Sequence, residues 1–129
     1  MIQRISVCVF SLLFACMSAS AEDRISQVWT CTLTDGHTAD ELEAVHAKWV
    51  VWANAQPGGE GIRGSVATPA VGLDLTVVLM IDSYPSLAAM TADCEAYYGS
   101  DEGLALEAEY AELSTCTSNA LWNVSSVAD

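Results

Sequence analysis

The sequence predicts an α+β domain: a four-stranded antiparallel sheet with helices on one of its faces. Three observations support this fold class. Runs of β-forming residues lie near both ends of the chain and in its middle, helical patterns separate them, and the resulting order of elements is βαββαβ. The chain has 129 residues, which is enough for one domain with its own hydrophobic core.

The first strand and the first helix follow from local residue patterns. Residues 25–33 alternate between two faces and are rich in β-formers, which predicts a strand. Thr38 and Glu41 stand three residues apart just before an apolar stripe, so they can form a capping box that opens a helix over residues 38–55. The Pro- and Gly-rich segment 57–61 ends this helix.

Two strands are predicted in the middle of the chain, over residues 62–70 and 73–81, with a turn near Gly72 between them. The second of these strands is apolar on both faces. A strand of this kind is typical of the centre of a sheet, where both faces are covered.

The last third of the chain predicts two helices and a final strand. Pro85 and Ser86 open the first of these helices, which ends at Gly99. Residues 101–113 continue with helical spacing, and residues 116–124 close the chain as a strand. The complete order is that of the ferredoxin-like, or split βαβ, arrangement.

This topology predicts one disulfide. The first and last strands are antiparallel neighbours in the ferredoxin-like arrangement, so Cys31 near the end of one comes close to Cys116 at the start of the other. Cys94 is then a free thiol on the buried side of its helix. A Cys94–Cys116 bridge stays open as an alternative, because spacing alone does not determine connectivity.

Residues 1–21 have the pattern of an export signal. One positive charge precedes an apolar run over residues 5–17, and Ala19-Ser20-Ala21 forms a small-residue cleavage site. We therefore expect a single mature domain over residues 22–129, periplasmic or secreted, with no membrane contact after cleavage. Lipidation at Cys16, within a lipobox-like Leu-Phe-Ala-Cys, is a less favoured alternative.

The charge balance restricts the partners. The chain has 17 Asp and Glu against 4 Lys and Arg, which gives a formal net charge of −13. Such a surface repels phosphate backbones and anionic lipid, so nucleic acid and membrane surfaces are excluded as expected partners.

An open sheet face predicts self-association. Helices can cover only one face of the apolar central strand, and we expect Val78 and Met80 on the other face with Val28 and Leu121 beside them. A second copy of the same sheet would cover this patch and form a homodimer. Trp122 and Cys116 are an even number of residues apart on one strand, so they should share a face, which predicts that Trp122 lies on the helix side.

The element order and patterning of residues 25–124 resemble the dimeric α/β-barrel superfamily. Within this range, the stretches TCTLTDGHTADELEAVHAKWVVWANA and DEGLALEAEYAELSTCTSNALW are similar to small exported bacterial proteins without an assigned role. The resemblance implies a fold and an export route. The superfamily includes haem-degrading monooxygenases, polyketide cyclases and muconolactone isomerases, but the chain carries no catalytic motif of these enzymes.

Four residues are candidates for ligand contacts. The candidates are His46, Lys48, Trp52 and Asn54. Neither histidine has the spacing of a metal site, and we expect no metal and no cofactor. The favoured position for His46 is a partly exposed helix edge, and the alternative is a role as a ligand or a base.

Two functions are compatible with these sequence features. The first is an exported homodimeric binding or assembly module, which the absence of a catalytic motif favours. The second is a small-molecule enzyme of the dimeric α/β-barrel type, with a pocket between helices and sheet. A deep cleft lined by His46 would favour the second.

Overall fold

The computed structural model describes residues 23–72 and 74–127, so the predicted signal segment 1–21 lies outside the described residues. The elements follow the predicted order: β1 (Arg24–Leu33), α1 (Ala39–Ala55), β2 (Arg63–Ala67), β3 (Val77–Tyr84), α2 (Leu87–Gly99), α3 (Asp101–Leu113) and β4 (Ser114–Val124). The sheet order is β2-β3-β1-β4 and every pairing is antiparallel, which is the ferredoxin-like topology.

Each helix begins at a side-chain cap that the sequence contains. The Thr38 hydroxyl accepts from the Glu41 backbone N–H, and the Glu41 carboxylate accepts from the Thr38 N–H, which completes the predicted capping box of α1. Ser86 and Ser100 cap α2 and α3 in the same way, each by accepting a backbone N–H three residues later.

The central strand β3 lies further along the chain than predicted. Asp74 accepts hydrogen bonds from the backbone and the hydroxyl of Thr76, which holds this segment in a turn, and β3 begins only at Val77. It then continues through Asp82 and Tyr84, which the predicted strand 73–81 did not include. This shift brings a carboxyl group into the sheet.

The prediction that Val78 and Met80 lie on the open face was wrong. Val78 is 1% exposed and Met80 is 7% exposed, and both pack in the core beneath the helices. The alternate residues of the same strand, Val77, Leu79 and Ile81, face the other way and are partly exposed. Both sets are apolar, so the pattern could not distinguish the two faces.

A bulge reverses the predicted orientation of the last strand. Thr30 pairs with Ser118 but Cys31 pairs with Cys116, so β4 contains one extra residue at this point. As a result Trp122 pairs with Ser26 on the open face, although it was predicted on the helix side. Leu121 was predicted on the open face and instead points to the helix side, opposite Gln27.

Cys31 and Cys116 form a disulfide that joins β1 to β4, and Cys94 is free and half-buried. The predicted connectivity is therefore the one in the structure. Beyond this bridge, nearly every residue of β4 is exposed, because the helices extend little over this edge of the sheet.

The core under the helices divides into two apolar clusters. One is centred on Trp49, Tyr84 and Tyr97, and the other on Leu42, Val78 and Leu113. Tyr110 of α3 packs against both clusters. None of the helices within the described residues is long and apolar enough to cross a membrane.

Candidate functional site

A cavity of about 520 Å³ lies between the helices and the sheet. Its walls come from β1, β3, all three helices and the start of β4. Six aromatic side chains line it: Trp29, Trp49, Tyr84, Tyr97, Tyr98 and Tyr110. A pocket of this size holds a small organic molecule, and the rings offer it flat apolar surfaces.

The cavity opens where α2, α3 and β4 meet. The lining residues Tyr98, Glu107 and Thr115 are exposed to solvent, whereas His46, Asp82 and Asp93 are buried. A ligand would therefore enter past an exposed ring and a carboxylate and reach polar groups at the inner end.

His46 is brought into this cavity by the apolar stripe of α1. Its ring stacks on Trp49 with 5.1 Å between ring centroids, and the residue is 4% exposed. Its Nδ1 lies 2.9 Å from the Tyr110 hydroxyl oxygen. The expected partly exposed helix edge was wrong, because α1 packs on the sheet through the face that carries His46.

The imidazole of His46 occupies space that is free only because residue 64 is a glycine. Gly64 in β2 lies under the ring, and a Cβ atom there would come within 2.6 Å of His46 Nε2 and 2.7 Å of Val50 Cγ2. No side chain fits at this position without moving its neighbours. Gly64 pairs with Asp82 across β2 and β3, so the same point in the sheet also positions the carboxyl group.

Asp82 faces His46 from the central strand. The Trp29 indole N–H donates to Asp82 Oδ2 at 3.0 Å, and Oδ1 lies 3.4 Å from His46 Nε2. Neither Oδ1 nor Nε2 has another hydrogen-bond partner among the described residues. Two buried polar atoms thus face each other at a distance that a small movement would convert into a good hydrogen bond.

Burial shifts both pKa values toward the neutral forms. The pKa of His46 falls to about 4, because desolvation disfavours the imidazolium, while an interaction with the Ile81 carbonyl opposes the shift. The pKa of Asp82 rises to about 7, chiefly through desolvation, against the opposing hydrogen bond from Trp29. Near neutral pH the imidazole is uncharged and the Asp82 carboxyl is close to its midpoint.

These groups form a chain that can transfer a proton. With Asp82 protonated, its O–H can donate to His46 Nε2 and the Nδ1–H can donate to Tyr110. With Asp82 ionised, both hydrogen bonds reverse and the Tyr110 hydroxyl donates to Nδ1. The protonation state of Asp82 therefore determines whether Tyr110 presents a proton or a lone pair to the cavity that it lines.

A second buried carboxyl group lies on α2. The Tyr84 hydroxyl donates to Asp93 Oδ2 at 3.2 Å, and Asp93 Oδ1 has no partner among the described residues. Desolvation raises the pKa of Asp93 as well. Ser114 is also buried and lines the cavity, and its hydroxyl has no partner within the described part of the chain.

Unpartnered polar atoms of this kind are costly. A buried donor or acceptor without a hydrogen bond costs about 1–3 kcal/mol. The cavity residues contribute four such atoms: Asp93 Oδ1 and Ser114 Oγ have no partner among the described residues, and His46 Nε2 and Asp82 Oδ1 have only each other, at 3.4 Å. Such a concentration around one cavity is expected where bound water or a ligand supplies the missing partners.

Comparison with solved structures shows the same fold. SnoaB of Streptomyces nogalater, described as a cofactor-independent oxygenase, is 17% identical to this chain, with a TM-score of 0.59. That alignment covers 81% of this chain and 96% of SnoaB.

A conserved protein of unknown function from Bacteroides thetaiotaomicron, described as a possible oxidoreductase, has a TM-score of 0.56 at 10% identity. The alignment covers 81% of this chain and 100% of the Bacteroides protein. No protein-family model matches the chain, and no curated protein matches it either. At these identities the likeness extends to the fold alone.

Of the four candidates from the sequence, the structure brings only His46 into the cavity. Lys48 forms an exposed ion pair with Glu109 of α3. Trp52 packs edge-on against the outer side of the core at Tyr97.

Asn54 serves the fold. Its side-chain amide donates to the Val50 and Ile62 carbonyls, and its oxygen accepts from the Gly61 N–H. These bonds hold the loop between α1 and β2. No group of three His, Cys, Asp or Glu side chains in residues 23–72 and 74–127 could hold a metal ion.

Sequence reasoning missed Asp82, Asp93 and Tyr110. One signal could have found the first: Val78, Met80, Asp82 and Tyr84 alternate along a single strand face, and a carboxylate within an apolar series is unusual. Asp93 precedes Cys94, which was the residue expected on the buried side of this helix. In the structure Asp93 is buried and Cys94 is half-buried.

Proposed function

We propose that the protein is a small-molecule enzyme whose cavity binds a largely planar organic molecule and exchanges a proton with it through Tyr110, His46 and Asp82. The observation that carries this proposal is the buried His46–Asp82 contact inside an aromatic-lined cavity. General acids and bases work best with a pKa near the operating pH, and the pKa of Asp82 lies at about 7. The fold shared with an enzyme described as a cofactor-independent oxygenase is compatible with catalysis by side chains alone.

Binding is tested with naphthol, a planar neutral molecule that fits a cavity of this size. Trp29 and Trp49 line the cavity, so we expect naphthol to quench tryptophan fluorescence and to raise the melting temperature. Both effects should weaken in His46→Gln and persist in His37→Gln, because His37 lies in the turn before α1, away from the cavity. Absence of binding to the wild-type protein would refute the proposal.

Proton transfer is tested with nitrobenzisoxazole. When a base removes the C–H proton of this planar probe, the ring N–O bond breaks and a coloured cyanophenolate forms. We expect catalysis on the order of 10²-fold above the Asp82→Asn variant, with a rate that rises through the pKa of Asp82. If both proteins bind the probe and convert it at equal rates, the acid–base part of the proposal is wrong and the protein is a binding module.

We include export and dimerisation in the proposal. The signal-like segment 1–21 and the disulfide support a protein that matures in an oxidising compartment and begins near Glu22. N-terminal sequencing of the mature protein tests this.

The partly exposed apolar residues Val77, Leu79 and Ile81 on the sheet face opposite the helices support a second copy as the dimer partner.

A further inference from the structure

The cavity is lined by three carboxyl groups, and the imidazole of His46 is the basic side chain among its described lining residues. Asp82 and Asp93 line its inner end and Glu107 lines its opening. Neither lysine nor arginine is among the lining residues in the described part of the chain. Arg24 binds the Gly61 carbonyl and Ser83, and Lys48 binds Glu109 outside the cavity.

The histidine does not supply the missing positive charge. His46 is buried, and desolvation holds its pKa at about 4, so it is neutral at physiological pH. At physiological pH the described lining of the cavity therefore carries no positively charged side chain, and the formal charge of the whole chain, −13, also favours a cation over an anion.

Asp93 retains unused acceptor capacity. Trp29 occupies one oxygen of Asp82 and Tyr84 occupies one oxygen of Asp93, both through neutral donors. The second oxygen of Asp82 faces His46 Nε2 at 3.4 Å, whereas the second oxygen of Asp93 has no partner among the described residues. Asp93 is only 4% exposed, so its charge would act at short range through a medium of low dielectric constant.

The remaining walls also favour a cation. Six aromatic rings line the cavity, and the faces of such rings attract ammonium groups. An anion would find three carboxyl groups and, among the described lining residues, neither a lysine nor an arginine. A neutral ligand would leave the carboxyl oxygens without a charged donor.

We propose that the cavity selects a small organic cation, a protonated amine attached to a planar apolar frame, and that Asp93 is its main counter-ion. This inference rests on the proposed function and specifies the class of its substrate. The ammonium group lies at the inner end near Asp93, and the planar frame lies among the aromatic rings toward the opening at Tyr98 and Glu107.

Three probes of one shape test this inference: naphthylmethylamine is a cation, naphthol is neutral and naphthoate is an anion. By calorimetry at neutral pH, we expect the amine to bind about tenfold more tightly than naphthol, which is the effect of one charge-assisted hydrogen bond. We expect naphthoate to bind more weakly than either. Equal affinity for the amine and naphthol, or tighter binding of naphthoate, overturns the inference and leaves the proposed function intact.

Two variants distinguish the effect of the buried Asp93 carboxyl group on binding from the effect of negative charge at the protein surface. In Asp93→Asn we expect the preference for the amine over naphthol to disappear while naphthol affinity is kept. The matched control is Glu109→Gln, which removes a carboxylate from α3 outside the cavity, and we expect it to retain the preference. An unchanged preference in Asp93→Asn overturns the assignment, and failure of all three probes to bind the wild-type protein refutes the proposed function itself.

Discussion

At the scale of single residues, the site depends on a few side chains whose environments differ from their ordinary ones. Asp82 projects from a strand that is otherwise apolar on its buried face, and the fold provides it with one indole donor and one imidazole neighbour. A buried carboxyl group of this kind reduces stability in its ionised form, and proteins retain such groups chiefly where they serve a function.

The Asp82→Asn variant should therefore gain stability relative to wild type as the pH rises. The folded state raises the pKa of Asp82 from 3.8 to about 7, so the native protein holds a proton that the unfolded chain has lost, and wild-type stability decreases across this window. Asn cannot ionise and can still accept from Trp29. Between about pH 5 and about pH 7, we expect the difference in free energy of unfolding to shift by roughly 1.4 kcal/mol per pH unit in favour of the variant.

Urea denaturation at several pH values measures this difference. His46 titrates in both proteins, so its contribution largely cancels in the comparison. Glu112→Gln, on the exposed side of α3, serves as the control and should follow the wild-type curve. If the difference in free energy of unfolding between Asp82→Asn and wild type does not change with pH, the prediction is wrong, because folding then does not raise the pKa of Asp82.

Gly64→Ala should displace His46. The new Cβ would overlap the imidazole, and the stability cost of overpacking is about 1–3 kcal/mol. A displacement of the ring on the order of 1 Å should lower the nitrobenzisoxazole rate by up to about 10²-fold. The pKa of His46, followed by NMR, should rise from about 4 toward its ordinary value of 6.5 as the ring is displaced toward water.

Gly99→Ala is the matched control, because a Cβ at Gly99 meets no atom within 4 Å. It should leave the rate and the His46 titration unchanged. If Gly64→Ala is destabilised but its His46 titration and rate match wild type, Gly64 is required for packing only.

At the scale of elements, β4 is the least supported part of the fold. It is an edge strand that pairs only with β1, and its residues after Ser114 are exposed. The Cys31–Cys116 bridge ties its beginning to the sheet at the bulge, next to the cavity wall formed by Ser114 and Thr115.

Removal of the bridge in Cys31→Ala/Cys116→Ala should lower the free energy of unfolding by about 3–5 kcal/mol, since the cross-link closes a long loop in the unfolded chain. Hydrogen exchange should increase first in β4, because its remaining attachment is the ladder to β1. Cys94→Ala provides the control, as it removes a thiol without removing a cross-link. Equal stability of the double variant and this control would mean that the bridge does not contribute to folding.

At the scale of the whole molecule, the sheet has one face under the helices and one face without them. On the second face Val28, Leu79 and Ile81 are neighbours across β1 and β3, and Trp122 is 57% exposed on β4. Apolar side chains in such a continuous patch favour association, because burial removes them from water. The net charge of −13 opposes association, but salt screens it.

Leu79→Glu should convert a wild-type dimer into a monomer, because the dimer would bury an unpaired carboxylate. Sedimentation at micromolar concentration measures the change. Val51→Glu is the control: Val51 is 74% exposed on α1, so the same change of residue type there should leave the dimer intact. A wild-type protein that sediments as a monomer would exclude the proposed interface.

The sequence alone predicted the order of elements, the capping box of α1 and the favoured pairing of the disulfide. These features depend on local patterns, such as Thr38 with Glu41, or on topology, which places Cys31 beside Cys116. Local hydrogen bonds and element order are properties of neighbouring residues, so they can be deduced from the chain without its packing.

Only the tertiary structure decided which face of each strand is buried and which side chains meet. Val77 and Val78 are equally apolar, so their residue type does not show which of them is buried. The register of β3 with β1 and the packing of α1 place Val78 under the helices. A one-residue bulge then reversed Trp122. The site brings together His46, Asp82 and Tyr110 from three elements, and no local pattern encodes contacts between residues so far apart in the chain.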